Sequence, residues 1–318
     1  MVKKVAVLTS GGDAPGMNAA IRAVVRAGLY YGYEVYGIAD GYKGLYEGRI
    51  ERMHRSSVSE KVNHGGTFLG TARLKRFAEK EVLEASYDNL RELGIDSLVV
   101  IGGDGTFRGA VDLGKLGVKC IGIPGTIDND ISGTDFAIGF DTALNTVIEA
   151  VDKLRDTSNS HRRCSIIEVM GRNCGAIAMW TGIAVGAEFV ITKETGLDID
   201  AMVTNISEAA KFKRHAILIL AENMIPIDEL VKIVNERTPF DSRATILGHV
   251  QRGGKPSARD RVLASTMGVK AIEALEAGKS GCCICEIGSK LEIVPFEVAL
   301  QDKRSDVNEK FRNFNILW

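Results

Sequence analysis

Asp128 and Asp130 flank one asparagine in the run Pro124-Gly125-Thr126-Ile127-Asp128-Asn129-Asp130, directly after the apolar stretch Cys120 to Ile123. A carboxylate presented at the carboxyl end of a parallel strand stands where open α/β sheets bind ligands, and small residues beside it let a substrate approach the backbone. Such a carboxylate can take a proton from a reacting hydroxyl. Read by itself, the run is better explained as a helix N-cap followed by an Asx-turn, which Asp and Asn supply routinely.

Two further loops add weight to the chemical reading. Thr9-Ser10-Gly11-Gly12-Asp13-Ala14-Pro15-Gly16-Met17-Asn18 follows a short apolar run and precedes a helical pattern, so its glycines can offer several N–H groups to an anion at a positive helix end. It is neither a Walker A sequence nor a G-x-G-x-x-G fingerprint. Val99 to Phe107 repeats the logic with Gly102-Gly103-Asp104-Gly105-Thr106 and places an acid inside the loop. An Asp beside phosphates suits Mg²⁺, which takes one or two protein carboxylates and fills its octahedron with phosphate oxygens and water. Anion cradles, a metal ligand and a base together are what phosphoryl transfer needs. Arg73, Arg163, Arg172, Arg243 and Arg252 lie near Gly-rich or strand-end segments, where guanidinium forks grip phosphate in bidentate fashion.

The elements that must position these residues alternate between short apolar runs and helix-period segments. Strands are expected at Val5 to Leu8, Val35 to Ile38, Leu98 to Ile101, Cys120 to Ile123, Ser165 to Val169, Phe189 to Thr192, Ala216 to Leu220 and Thr245 to Leu247. Helices are expected at Met17 to Leu29, Phe107 to Leu116, Thr142 to Leu154, Cys174 to Val185, Ile199 to Lys211, Pro226 to Glu236 and Ala258 to Ala277. That rhythm means βαβ units and mostly parallel sheets. No Pro/Ser/Gly-rich linker divides the chain, so two lobes would exchange the polypeptide more than once, with Gly139 and Gly248 to Gly254 as crossing points.

With 318 residues, 45% hydrophobic and 25% charged, the chain can bury two medium cores. A net charge of −1 excludes a generally basic surface, so a nucleic-acid partner is not expected and any polyanion site must be local. Val5 to Leu8 is too short for a signal-peptide core, and the apolar stretch around Ala176 to Ile191 is broken by Glu188. A soluble cytoplasmic protein without a membrane partner follows as the expectation. Cys282 and Cys285 form a C-x-x-C with no second pair to complete a zinc site, and the six cysteines are expected to be reduced.

The motifs TSGGDAPGMN (Thr9 to Asn18), GGTFLGTAR (Gly65 to Arg73), IGGDGTF (Ile101 to Phe107), PGTIDND (Pro124 to Asp130), VMGRNCG (Val169 to Gly175) and LGHVQRGG (Leu247 to Gly254) occur in one order over roughly residues 3–275. In these the chain resembles the bacterial ATP-dependent 6-phosphofructokinases. The resemblance implies two Rossmann-like three-layer α/β lobes with an active-site cleft between them. Residues 1–138 plus about 252–303 would form the larger ATP lobe, and 139–251 plus the tail 304–318 the smaller sugar-phosphate lobe. It further implies that Gly12, Arg73, Gly103, Asp104, Gly105 and Thr106 bind ATP, with Asp104 addressing Mg²⁺. Fructose 6-phosphate would be held by Thr126, Asp128, Met170, Gly171, Arg172, Glu222, His249 and Arg252, with Arg163 and Arg243 reaching in from a neighbouring subunit of a homotetramer. Catalysis would rest on Asp128 as base, helped by Thr126, Arg172, Arg73 and Gly12. Pyrophosphate-using relatives carry Asp in the position of Gly105 and Lys in that of Gly125, so the two glycines imply ATP as donor.

An effector site for ADP or phosphoenolpyruvate is implied at Arg22, Arg26, Arg55, Arg155, Gly186, Glu188, Lys211, Lys213, Arg214 and His215, with Glu188 on the effector's metal. Arg22 and Arg26 are one helical turn apart and can face one anion. The chain departs from the family pattern at Lys193, where relatives usually have Pro, at Phe212, where they have a small residue, and in the tail after Gly281. Competing readings are a pyrophosphate-dependent relative, a nucleotide kinase sharing only the Gly-Gly-Asp-Gly loop, and a non-catalytic nucleotide sensor. The joint presence of Asp104, Asp128 and Arg172 opposes the sensor, which needs no base.

Overall fold

Strands that are apolar on both faces belong in sheets covered on both sides, which is the environment a parallel sheet provides. The computed structural model, which describes residues 2–301 and 307–318, is built on such strands. In chain order it runs β1 (Lys4–Thr9), α1 (Met17–Tyr30), β2 (Glu34–Ile38), α2 (Gly41–Tyr46), β3 (Ile50–Met53), α3 (Lys80–Glu92), β4 (Ser97–Gly102), α4 (Asp104–Lys115) and β5 (Lys119–Pro124). There follow α5 (Phe140–His161), β6 (Arg163–Val169), α6 (Ala176–Val185), β7 (Phe189–Ile191), α7 (Ile199–Ala209), β8 (Ala216–Ala221), α8 (Ile227–Arg237) and β9 (Asp241–Ile246). The chain closes with α9 (Ala258–Glu276), β10 (Cys282–Ile287), β11 (Lys290–Pro295), α10 (Phe296–Ala299) and α11 (Val307–Leu317).

The described residues gather into two compact units, one of residues 2–142 with 252–301, the other of 143–251 with 307–318. The boundary expected at 303/304 lies outside the described residues. The larger unit holds a seven-stranded sheet in the order β11-β10-β5-β4-β1-β2-β3. Its five inner strands are parallel, and the two edge strands β3 and β11 pair antiparallel to their neighbours. Every residue of β4 is buried, as are all but the first of β1 and of β5. One face packs a core containing Leu8, Leu98, Phe107 and Phe296, whose two phenylalanine rings lie 5.2 Å apart. On the smaller unit, β7, β8, β6 and β9 form an all-parallel sheet around Ile166, Met202, Leu218 and Leu230. All six cysteines are buried and unbridged. Among the described residues no helix is long and apolar enough to cross a membrane.

The expected helix at Thr142 to Leu154 extends to Phe140–His161. Its early start has a long-range cause: Asp260 of α9, 1% exposed, accepts from the Gly139 N–H (2.9 Å), the Thr142 N–H (2.8 Å) and the Thr142 hydroxyl (2.5 Å). A carboxylate from another helix thus satisfies the first orphan donors of α5 and faces its positive end. Burial pushes the Asp260 carboxyl above its ordinary range, with these three bonds opposing that rise. Ser257 caps α9 in turn, accepting from the Asp260 N–H. The helices α1 and α9 meet through small side chains, since a Cβ at Gly268 would press on Ala23.

Replacing Asp260 with Ala leaves two buried N–H groups without their acceptor. The expected cost is about 1–3 kcal/mol in urea unfolding, with Asp260→Asn intermediate because one of its two terminal atoms still accepts.

Candidate active site

Three loops of the larger unit leave its sheet at one level. Thr9 of β1 is registered with Ile101 of β4, and Gly102 of β4 with Pro124 of β5, so the carboxyl ends of adjacent strands stand about 4.8 Å apart. The loop after β1 carries Gly12, that after β4 carries Gly103 to Thr106, and that after β5 carries Thr126 and Asp128. Hydrogen bonds join neighbours directly: Ser10 N–H to Ile101 O (3.1 Å), Thr106 hydroxyl to Ser10 O (3.0 Å) and Gly125 N–H to Gly102 O (3.0 Å).

Asp104 opens α4, following Gly103 as N-cap, and its carboxylate pairs with Arg108 one turn on at 3.1 Å. Its side chain is about one-third exposed, so a single carboxylate is offered at a helix N-terminus, the donor set that Mg²⁺ accepts together with phosphates and water. Beside it, nothing stands within 4 Å of a Cβ built on Gly105. Gly125 is different, because a Cβ there would come 3.2 Å from both Ile101 and Met17. At Gly12 the neighbour is Arg252, whose guanidinium occupies the space a side chain would need and also reaches toward Asp13 O at 3.5 Å. Arg73 is exposed.

Asp128 is 6% exposed, and its N–H donates to the Thr126 hydroxyl at 3.2 Å. The segment after it is shaped by Asn129, which adopts a left-handed backbone (φ 50°) that Asn tolerates. Its amide donates to Asp135 O and its oxygen accepts from the Ala137 N–H, both at 2.9 Å. Asn18 does the same for the loop 65–73, donating to His64 O and Gly65 O (3.1 Å each) and accepting from the Phe68 N–H (2.8 Å). Thr9 and Thr71 add bonds to Gly70 O and Gly11 O at 2.8 Å. Between these segments opens a cavity of about 430 Å³ lined by Asp13, Lys61, His64, Gly66, Phe68 and Thr71. Sequence reasoning assigned Asn129 and Asn18 no part, although each polar amide inside a Gly-rich motif signals a backbone bridge.

The smaller unit repeats the arrangement around β6. Val169 is registered with Ala221 of β8 and Glu168 with Ile246 of β9, so Met170, Glu222 and Leu247 follow at one edge. Glu222 accepts from the Gly171 N–H (3.2 Å) and the Arg172 N–H (2.6 Å), which holds Arg172 in a left-handed conformation (φ 56°). Buried Gln251 accepts from the Met170 N–H, and Glu194 accepts from the Gly175 N–H. The Arg172 and His249 residues are exposed. Burial, and then the negative charge of Glu222, raise the Glu168 carboxyl above its ordinary pKa.

Arg163 and Arg243 are not brought to that edge. Arg163 begins β6 and Arg243 is registered with Ser165, so both sit at its amino end, roughly 16–23 Å from Met170 at the strand rise per residue. Both pair with Asp241, at 3.3 and 2.7 Å.

Of the basic residues, the smaller unit unites Arg155, Lys213 and His215 around Glu188. Glu188 is wholly buried, and its oxygens take Lys213 Nζ (2.6 Å) and the Ile217 N–H (2.5 Å). Arg155 bonds His215 Nε2 (3.1 Å) and the Val185 carbonyl, which precedes Gly186 at the end of α6. Burial lowers the His215 pKa, Glu188 opposes, and Arg155 and Lys213 lower it further. Lys211 is instead paired with Glu208, and Arg214 is exposed. On the larger unit Arg22 and Arg26 share a face of α1, where burial first and Arg26 second depress the Arg22 guanidinium. Arg55 is exposed. Glu188 thus has one oxygen on an ammonium and the other on a main-chain N–H, which leaves lone pairs on both.

Residues 4–275 match the family model described as Phosphofructokinase. The chain is 58% identical over 285 residues to a Vibrio campbellii protein named ATP-dependent 6-phosphofructokinase, covering 89% of each. A phosphofructokinase structure from Saccharomyces cerevisiae superposes with a TM-score of 0.91 at 34% identity over 98% of this chain, which spans 50% of the yeast chain. One from Pichia pastoris, titled as in the T-state, gives 0.94 at 34% over 99% of this chain and 41% of that one.

The shared charge at Glu168 and Glu222 can be tested directly. Glu222→Gln keeps an oxygen for the two N–H groups and removes the charge, so the Glu168 carboxyl should titrate at lower pH in a carboxyl-carbon NMR titration. An unmoved Glu168 would leave burial as the sole cause.

Proposed function

The chain belongs to the phosphofructokinase family, and on that premise we infer that it transfers the γ-phosphoryl group of MgATP to the 1-hydroxyl of fructose 6-phosphate. The observation that carries this reading is the common level of the loops after β1, β4 and β5, which sets Gly12, Gly103 to Thr106 and Asp128 on successive strands. ATP as the donor is supported by the open space beyond Gly105 and by Gly125, where a Cβ would crowd Ile101 and Met17 at 3.2 Å.

Asp128 accepts the proton of the sugar 1-hydroxyl as its oxygen attacks the γ-phosphorus in line. Thr126 holds the main chain of Asp128 through its hydroxyl, which fixes where the carboxylate starts. Arg73 and Arg172 offset charge on the transferring group, and the N–H groups of the Gly12 and Gly103 to Thr106 loops cradle the donor phosphates. Asp104 is the residue that would hold Mg²⁺, which when bound neutralises phosphate charge. Met170, Gly171, Arg172 and Glu222 shape the sugar-phosphate edge, with His249 and Arg252 on the phosphate itself. Arg163 and Arg243 serve the site of a second copy in a homotetramer, a reading supported by their position at the other end of β6. Arg22, Arg26, Arg55, Arg155, Lys211, Lys213, Arg214 and His215 serve an anionic effector, ADP or phosphoenolpyruvate. Glu188 acts there as the partner of Lys213.

In an assay coupled to fructose 1,6-bisphosphate, Asp128→Ser should lower kcat by about 10²- to 10⁴-fold, the range for a positioned acid or base, with little change in the KM for sugar phosphate. A near-wild-type kcat removes Asp128 from the base role. Pyrophosphate should not replace ATP in the same assay. Gly105→Asp should raise the KM for ATP about tenfold or more through charge repulsion near the phosphates, and an unaltered KM counts against the nucleotide's placement.

A further inference from the structure

The C-terminal helix α11 lies on the smaller unit, and the residue that ends it reaches the basic cluster around Glu188. Val307 and Phe314 are buried, and Lys310 holds its ammonium 4.1 Å from the ring centroid of Trp180 on α6. The Trp318 N–H extends the helix by donating to Phe314 O at 3.0 Å. Its ring then lies 6.3 Å from that of Phe212, the planes 31° apart. The ammonium of Lys213 stands over both rings, 5.5 Å from Trp318 and 5.9 Å from Phe212, while its ion pair with Glu188 measures 2.6 Å.

A lysine ammonium on a four-carbon stem has wide rotamer freedom. Glu188 alone would draw it toward the interior, since that carboxylate is wholly buried. The two ring faces attract the same charge without neutralising it and hold it at the surface, where Lys213 keeps one-third of its exposure. Phe212, 69% exposed, gains a purpose in this arrangement. We propose that Trp318 is a positioning residue for Lys213, so that α11 forms part of the anion site made by Arg155, Lys213 and His215. The proposal rests on the effector reading given above. Holding the ammonium in place before the anion arrives removes part of the ordering cost of binding.

Calorimetric titration of the whole 318-residue chain with phosphoenolpyruvate tests it. Trp318→Ala should weaken binding about two- to fivefold, the worth of one exposed cation–π contact. Trp318→Phe should restore most of the affinity, because the ring face is kept. In a Lys213→Met background the Trp318→Ala change should have no further effect, which separates action through Lys213 from a general loosening of the helix. Unchanged or tighter binding by Trp318→Ala, failure of Phe to rescue, or an equal loss in the Lys213→Met background each overturns the proposal. Unchanged binding by Lys213→Met overturns the effector reading and the proposal with it, whereas weakened binding by Lys213→Met together with unchanged binding by the single change Trp318→Ala overturns the proposal alone.

Discussion

Parallel pairing ties the level at which one strand ends to the level at which its neighbour ends. In the larger unit that constraint carries the registers Thr9 with Ile101 and Gly102 with Pro124, and everything chemical about the unit hangs from it. A slip of one residue would turn each strand's side chains to the other face and move a loop by about 3.3 Å along its axis. The apolar runs of β1, β4 and β5 specify little between one register and the next, because both their faces are buried. Register is fixed instead by the loops, through bonds such as Ser10 N–H to Ile101 O and Gly125 N–H to Gly102 O.

Those loops are held mostly by uncharged polar side chains that serve the main chain. Asn18 bridges the loop 65–73, Asn129 closes the segment after Asp128, and Thr106 reaches back to the loop after β1. Each net bond contributes only about 1 kcal/mol, but a buried amide or hydroxyl left without its partner costs more than that, so the arrangement has few alternatives. Carboxylates do the same elsewhere, and in the smaller unit Glu222 serves two N–H groups at once beside the left-handed Arg172. The chemistry then falls to residues whose backbones are already fixed.

What the sequence made legible follows from where information is local. Most of the parallel strands and long helices and the strand-end loops could be read because apolar runs and Gly-rich punctuation are local signals, whereas the inner strand β10 and the helix α3 were not among the expected elements. Edge elements could not: β3 reads Ile-Glu-Arg-Met and β11 reads Lys-Leu-Glu-Ile-Val-Pro, each half-exposed and too polar to stand out. The start of α5 lies two residues before the expected Thr142 because its cap comes from Asp260, more than a hundred residues away. Site residues recognised through family motifs carried no register, so the motifs did not tell that Arg163 and Arg243 lie at the opposite end of β6 from Met170. The gathering of Arg155, Lys213 and His215 around Glu188 is likewise a property of the folded smaller unit, invisible in spacing.

The separation along β6 has a physical consequence for the proposed sugar-phosphate chemistry. A strand is stiff, so no local adjustment carries Arg163 to Met170. Within one chain the two arginines therefore need a partner of their own, and Asp241 supplies it, one oxygen to each guanidinium. Two like charges sharing one carboxylate retain a net positive charge while their mutual repulsion is offset. Both guanidiniums are substantially exposed, so screening keeps the ion pairs weak and easily exchanged for a better acceptor. A phosphate is such an acceptor, since it offers a guanidinium fork two oxygens and more charge than a carboxylate shared between two partners. Asp241 is thus suited to hold the pair ready rather than to bind it permanently, which is the property a residue must have if its charge is meant for another copy's substrate.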